Sequence, residues 1–336
     1  MKEAKKADRI FAIGFLSGMV VLYLILRVMG AFYLTSEEGG NPRYIHVAKG
    51  ASAREIANRL VENGILRNRW YFLVGVKLMR TDKNLKYGDY ELFTGMAPIV
   101  AIRKLTSGQG SVHRLTVPEG FTQEQIADRV QHDGLMSKQE FLAGSQNEEL
   151  RTRLGVQSDT LEGFLFPDTY YVAAEETADG LVRMMAHRFE EVSRRESIAS
   201  PVYGEYNLFD IVRIASIIEK EAFLDSEKPR IAGVIYNRLR KNMRLACDVT
   251  VQYGLDKFGQ PLTYADLAFD SPYNSYMYQG LPPGPICSPG RASLRAALHP
   301  ETTNYLYFVS KNDGTHHFSE TFAEHNRAVK LYQFNQ

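Results

Sequence analysis

Cysteine is nearly missing from this 336-residue chain, which holds two, Cys247 and Cys287. A disulfide framework is excluded; a single bridge and two unpaired, partly buried thiols both fit the sequence. An excess of one charge is missing too. Forty Lys and Arg stand against 39 Asp and Glu, so no basic field argues for a nucleic-acid partner. There is no HExxH, no paired CxxC and no carboxylate cluster at ligand spacing, and we expect no metal. His316 and His317 are adjacent, so on a strand they point to opposite faces and cannot share an ion. No glycine-rich phosphate loop occurs, and no cofactor is expected.

Long hydrophobic runs are absent except at the start. Residues Ile10 to Leu26 are apolar or small throughout, and after Arg27 the run resumes to Leu34. That length can span a bilayer, with Arg27 snorkelling to the interface beside Tyr33. A cleaved signal peptide would have a shorter apolar core and a small-x-small exit. Residues 10–34 are therefore expected to be an uncleaved transmembrane helix. Residues 1–9 carry Lys2, Lys5, Lys6 and Arg9 against Glu3 and Asp8, whereas Glu37 and Glu38 follow the run with no base until Arg43. By the positive-inside rule the tail is cytoplasmic and the rest lies outside.

Beyond the anchor the chain repeats itself at an offset of seventy residues. Val47 matches Val117, Gly50 matches Gly120, Ile56 matches Ile126, Arg59 matches Arg129 and Gly64 matches Gly134. Each copy carries a capping box, Ser52 with Glu55 and Thr122 with Gln125, and then a glycine where the helix should stop. Second helices are expected through Trp70 to Met79 and Lys138 to Leu142, with returning strands at Gly88–Phe93 and Pro167–Val172. Such strand-helix-helix-strand modules resemble LysM domains, which bind the N-acetylglucosamine backbone of peptidoglycan and chitin. The resemblance is clearest over 44–106, and the alternative is a duplicated module without sugar affinity. Trp70, Tyr71 and Phe72 are the only visible aromatic platform, and they serve equally as core.

A carboxylate in an apolar pattern draws attention to Asp210–Glu221, DIVRIASIIEKE. At 3.6 residues per turn Leu208, Val212, Ala215, Glu219 and Ala222 share one stripe, and Glu221 points to nearly the opposite side. Desolvation on that stripe would keep Glu219 protonated, as a general acid must be. The alternative is a Glu bonded to a helix cap or paired with an Arg.

From Val202 the motifs crowd: ASIIEKE at Ala215–Glu221, IAGVIYNRLRKNMRLACDVTVQYGL at Ile231–Leu255, SPYNSYMYQGLPPGPICSPG at Ser271–Gly290 and YLYFVSKNDGTHHFSETFAEHN at Tyr305–Asn326, after EGFLFPDTY at Glu162–Tyr170. In order and spacing these five resemble the endolytic murein transglycosylase family. The resemblance implies a single-pass inner-membrane lyase with its catalytic domain in the periplasm. Such an enzyme cuts nascent glycan strands between N-acetylmuramic acid and N-acetylglucosamine and leaves 1,6-anhydro ends. It also implies glycan strands and penicillin-binding-type synthases as partners, and the first Glu of EKE, Glu219, as the acid. This chain departs from the pattern at Val249, where the family usually has Pro, and at Ser288.

The implied fold class is α+β, with a tail (1–9), an anchor (10–34), a LysM-like module (44–106), a second merging onward (112–200) and a mixed α+β catalytic domain (201–336). Asp248, Gln252, Asn274, Tyr276 and Glu320 are candidates for substrate binding, because they sit in the polar stretches of these motifs. Lys220 points away from the Glu219 stripe, which argues against a pyridoxal-phosphate lyase. The Leu281–Pro285 run reads as a rigid turn at a cleft wall. Two rival readings stay open: a catalytically silent glycan-binding anchor, and a two-carboxylate muramidase with Asp248 as the second acid.

Overall fold

Glycine and cap chemistry fix where the first helices begin and end. The computed structural model describes Met19 and residues 40–108, 111–173, 176–196 and 206–334. The expected tail and anchor lie outside these residues apart from Met19. Among the described residues no helix is long and apolar enough to cross a membrane.

The described residues divide into two compact units, one of those up to Arg114 together with 171–173, the other of 115–170 and those from 176 onward. In the first, β1 (Pro42–Val47) pairs antiparallel with β2 (Gly88–Phe93), Ile45 facing Tyr90 and Val47 facing Gly88. Alternation turns Ile45, Val47, Tyr90 and Leu92 inward. Between these strands run α1 (Ala53–Glu62), begun by the Ser52–Glu55 capping box, and α2 (Arg69–Leu78), capped by Asn68. Ile56, Ala57 and Leu60 of α1 and Phe72 and Val76 of α2 close one core with α3 (Pro98–Ser107), through Ala101, Ile102 and Leu105. Burying each larger apolar side chain there contributes roughly 1.5–3 kcal/mol.

Strand β3 (Ser111–Thr116) pairs antiparallel with β2, and the sheet order is β1-β2-β3-β4, with β4 at Thr169–Ala173. The chain changes unit within β3 and β4. In the second unit α4 (Gln123–His132) stands at the repeat offset from α1, with its own Thr122–Gln125 capping box. Gly64 and Gly134 follow the two helices at φ of 69° and 73°, the left-handed turn expected of them. Next come α5 (Lys138–Gly144), α6 (Glu148–Leu154) and α7 (Ala178–Arg195). Leu115–Tyr170 thus shares a unit with the motif-dense half.

At the centre of that unit is α8 (Leu208–Glu221), opened by an Asn207–Asp210 capping box. Phe209, Ile211, Val212, Ile214, Ala215, Ile217 and Ile218 are all buried, so nearly every side of the helix is covered. It packs on α9 (Lys228–Arg240) and α12 (Arg291–Leu298); the short α10 (Asp248–Gly254) and α11 (Tyr264–Leu267) lie between them in sequence. A hairpin of β5 (Tyr307–Ser310) and β6 (His316–Ser319) is backed by α13 (Phe322–Gln333). Its register sends His316 to Glu227, at 2.8 Å, and the His317 ring to within 5.9 Å of Tyr332.

Both cysteines are buried free thiols. Cys247 Sγ donates to Leu245 O and Cys287 Sγ to Ser216 O.

Candidate active site

Helix α8 carries two acids in its last turn. Ser216 and Glu219 face the 286–293 segment: Ser216 Oγ accepts the Ile286 N–H at 3.0 Å. Glu219 Oε2 accepts the Gly290 N–H at 2.9 Å and the Ser293 hydroxyl at 2.7 Å, and Lys228 Nζ stands 3.4 Å from Oε1. Gly290 caps α12, Ser293 lies in its first turn and Lys228 opens α9. Glu219 therefore ties three helices together and puts negative charge at a helix N-terminus. Each of these three partners is a donor to the carboxylate. Burial lowers the Lys228 ammonium. The Asp225 hydrogen bond and the charges of Glu219, Asp225 and Glu119 outweigh it and hold the group above the usual lysine range.

Glu221 looks the other way, into a pocket of about 420 Å³. Asp248, Arg238, Tyr276, Tyr307, His316 and His325 share its walls. Burial first, and the Asp248 carboxylate second, push the Glu221 carboxyl up to about 7, against the Cys247 thiol and the Arg238 cation, which lower it. Asp248 opens α10, and its Oδ1 accepts the Tyr276 hydroxyl at 2.6 Å. His325 is kept below the ordinary histidine range by burial and then by Arg238 and His317; its Nδ1 is buried without a partner among the described residues. An acid poised near neutrality, a second carboxyl group and the His325 side chain thus line one open volume, which is what proton transfer to a bound substrate needs.

Of the residues expected beside Glu219, Asp248 and Tyr276 come together, but at Glu221. The reason is helical geometry: two residues along α8 is about 200°, and Glu221, not Glu219, lines the pocket that Asp248 and Tyr276 share. Gln252 is spent on the Gln260 carbonyl, at 2.9 Å. Asn274 is wholly buried and clamps its own loop, donating to Leu267 O and Phe269 O and accepting from Tyr276 N–H. Glu320 is exposed just before the α13 cap and does not line the pocket. The Leu281–Pro285 turn packs against the Ser216 side of α8: Pro282 O accepts from Arg213 at 2.8 Å, and Pro285 lies so close to Gly163 that a Cβ there would meet it at 2.5 Å.

Sequence reasoning missed two further acids. Glu119, in the second repeat's glycine turn, rests on Gly290, where an added Cβ would come within 2.0 Å of its carboxyl. The Gly120 N–H to Ser288 O bond and the Ser288 N–H to Phe121 O bond hold it there. Burial and then the Glu219 charge raise its carboxyl above the usual range. Glu162 is buried and accepts the Gln123 N–H in the first turn of α4; burial pushes its carboxyl up to about 7. The EGF and EGFLF motifs contained both, without any periodicity to single them out. Among the described residues no group of three or more His, Cys, Asp or Glu is placed to hold a metal ion.

The model of the YceG-like family matches residues 45–331. The chain belongs to the YceG-like family. An endolytic murein transglycosylase of Bacillus subtilis is 34% identical over 307 residues, which cover 86% of this chain and 84% of the relative. An endolytic murein transglycosylase of Streptococcus pneumoniae is 28% identical over 331 residues, 87% of this chain and 59% of that longer protein. The crystal structure of a yceG-like protein from Listeria monocytogenes superposes with a TM-score of 0.59 at 32% identity, covering 86% of this chain and 100% of that one.

Proposed function

We propose that the chain is a peptidoglycan lytic transglycosylase that cleaves inside glycan strands, between N-acetylmuramic acid and N-acetylglucosamine, with Glu221 moving the proton. The observation that carries this reading is the Glu221 carboxyl, raised to about 7 in a pocket of about 420 Å³ that also holds Asp248. The names of the relatives supply the substrate class.

The chemistry follows from one acid used twice. The Glu221 proton passes to the glycosidic oxygen as its bond to the muramic acid anomeric carbon breaks, and N-acetylglucosamine leaves as the alcohol. The Asp248 carboxylate, held by Tyr276, faces the positive charge left on the sugar. The muramic acid 6-hydroxyl then bonds to the anomeric carbon while ionised Glu221 takes its proton. The 1,6-anhydro end forms and the acid is restored. No water is consumed, and an intramolecular hydroxyl has a high effective concentration.

Incubation with uncrosslinked glycan, followed by mass spectrometry of the products, tests this. Anhydromuramyl ends should vanish with Glu221→Gln and persist with Glu219→Gln; the reverse pattern sinks the assignment. A second reading draws on the Asp248 charge felt at Glu221: a two-carboxylate muramidase, which would leave reducing ends instead.

Three features complete the proposal. The apolar run Ile10–Leu34 and its flanking charges support a single-pass anchor with a cytoplasmic tail and the enzyme on the periplasmic side of an inner membrane. The repeat supports LysM-like glycan binding, and a groove of about 450 Å³ at the β1–α1 turn, lined by Lys49, Glu55, Asn58 and Arg59, is the surface we assign to it in this reading. A penicillin-binding-type synthase, as the supplier of nascent strands, is the fitting protein partner.

A further inference from the structure

Helix α2 breaks the rule that an apolar helix is a covered one. Its sequence, RWYFLVGVKL, is apolar almost all round, yet only Phe72, Gly75 and Val76 are buried against the core of the first unit. The opposite face carries Trp70, Val74 and Leu78 one turn apart, with Trp70 59% and Leu78 80% exposed, and Met79 and Tyr87 are exposed as well. Cations predominate around this stripe, with Glu62 at its Trp70 end and Asp82 just past its other end. Residues 63–81 hold Arg67, Arg69, Lys77 and Arg80 and no acid. All four cations are exposed, and the Arg69 guanidinium lies over the Trp70 ring at 5.4 Å.

An exposed apolar stripe bordered by cations, with tryptophan at one end, is the composition of a helix that lies in a lipid interface. The chain also brings a bilayer within reach. Seven residues separate Leu34, the end of the apolar run, from Pro42, where β1 begins; seven residues span at most about 25 Å. A unit of this size is itself only about 30 Å across, so its faces all fall within reach of the surface that holds the anchor.

We infer that the outer face of α2 docks on an anionic bilayer surface, with Trp70, Val74 and Leu78 entering the headgroup boundary and Arg67, Arg69, Lys77 and Arg80 meeting lipid phosphates. This rests on the anchor reading for proximity and is independent of the chemistry at Glu221. The docked helix would fix the first unit against the membrane and set how far from the membrane this unit can hold a strand.

The chain reports on this contact directly, because Trp70 is its single tryptophan. The full-length protein is reconstituted into vesicles of zwitterionic lipid with and without phosphatidylglycerol, some carrying brominated acyl chains. Trp70 emission is expected to shift to the blue and to be quenched by the brominated lipid, more strongly as the anionic fraction rises. Leu78→Glu should abolish the quenching while flotation of the protein with the vesicles persists. A floating protein whose Trp70 stays open to aqueous iodide overturns the contact and leaves the anchor standing. Trp70 protection on vesicles at neutral pH, together with complete release of the protein by alkaline carbonate, supports the contact and sinks the anchor. A protein that neither floats nor shows a Trp70 response loses both. Quenching relief by soluble glycan strands, unchanged by lipid composition, would give the face to sugar and overturn the inference.

Discussion

Glu219 and Glu221 stand two residues apart on α8 and meet opposite surroundings. Glu219 is met by a backbone N–H, a hydroxyl and an ammonium from two other helices. Glu221 is met by open volume, a second carboxylate and aromatic walls. The first arrangement meets a carboxylate with three donors and holds elements together; the second gives a carboxyl the Cys247 thiol and an open volume. A buried acid is therefore a signal that needs its surroundings before it means chemistry, because a structural tie and a proton donor both require an acid in an apolar pattern.

The largest expected effect separates the two. Glu221→Gln should lower turnover of glycan by about 10²–10⁴, the usual contribution of a general acid, with the melting temperature held or raised. Glu219→Gln should keep most of the activity and lose about 1–3 kcal/mol of stability, as Lys228 stays buried with one of its two carboxylate partners neutralised. Anhydromuramyl release and thermal melts on both variants are the measurements. Loss of activity in Glu219→Gln at an unchanged melting temperature would break the contrast.

A third acid sharpens it. Glu162 is as displaced as Glu221, to about 7, yet it accepts hydrogen bonds at a helix start and does not line the Glu221 pocket. Its folded value lies above the ordinary carboxyl value of 4.5, so the folded state binds the proton more tightly. Its contribution to stability is complete below pH 4.5 and is lost as pH rises through about 7. Glu162→Gln should remove up to about 3 kcal/mol of that pH dependence in denaturant titrations, and the pH–rate profile should keep its shape.

The same sign at Glu221 reaches activity. The protonated form starts the reaction, so kcat/KM should fall as pH rises through about 7. Asp248→Asn takes away a charge that opposes ionisation, and the falling limb should move to lower pH. A limb that stays in place would mean that Asp248 is not felt at the reacting carboxyl.

Much of this was legible beforehand. Period, capping residues and glycines gave α1 and α4 with their caps, because those signals are local and the structure uses them locally. The acid pair in EKE was legible as an anomaly. Which of the two faces the pocket beside Asp248 was not, since α8 is covered on almost every side and the stripe of Val212 and Ala215 does not report what lies opposite it. The opening is made by Tyr307, His316 and His325, some ninety residues on, and Glu119 reaches Glu219 through the Gly120–Ser288 pairing, across a similar or greater separation. Asn274 drew notice as a polar motif residue and turned out to bond its own loop, the ordinary fate of a buried amide.

The smallest expected effects put the contrast on single hydroxyl groups. Tyr276→Phe removes the donor to Asp248, and Ser293→Ala removes a donor to Glu219. Each deletes one hydrogen bond to a carboxylate, worth about 1–3 kcal/mol. If the two sides of α8 differ as described, the losses fall in different quantities. Tyr276→Phe should lower kcat at constant melting temperature, and Ser293→Ala should lower the melting temperature at constant kcat. Because the atoms removed are alike, the split between rate and stability isolates the surroundings; equal effects of both variants on either quantity would mean that the helix presents one continuous polar network.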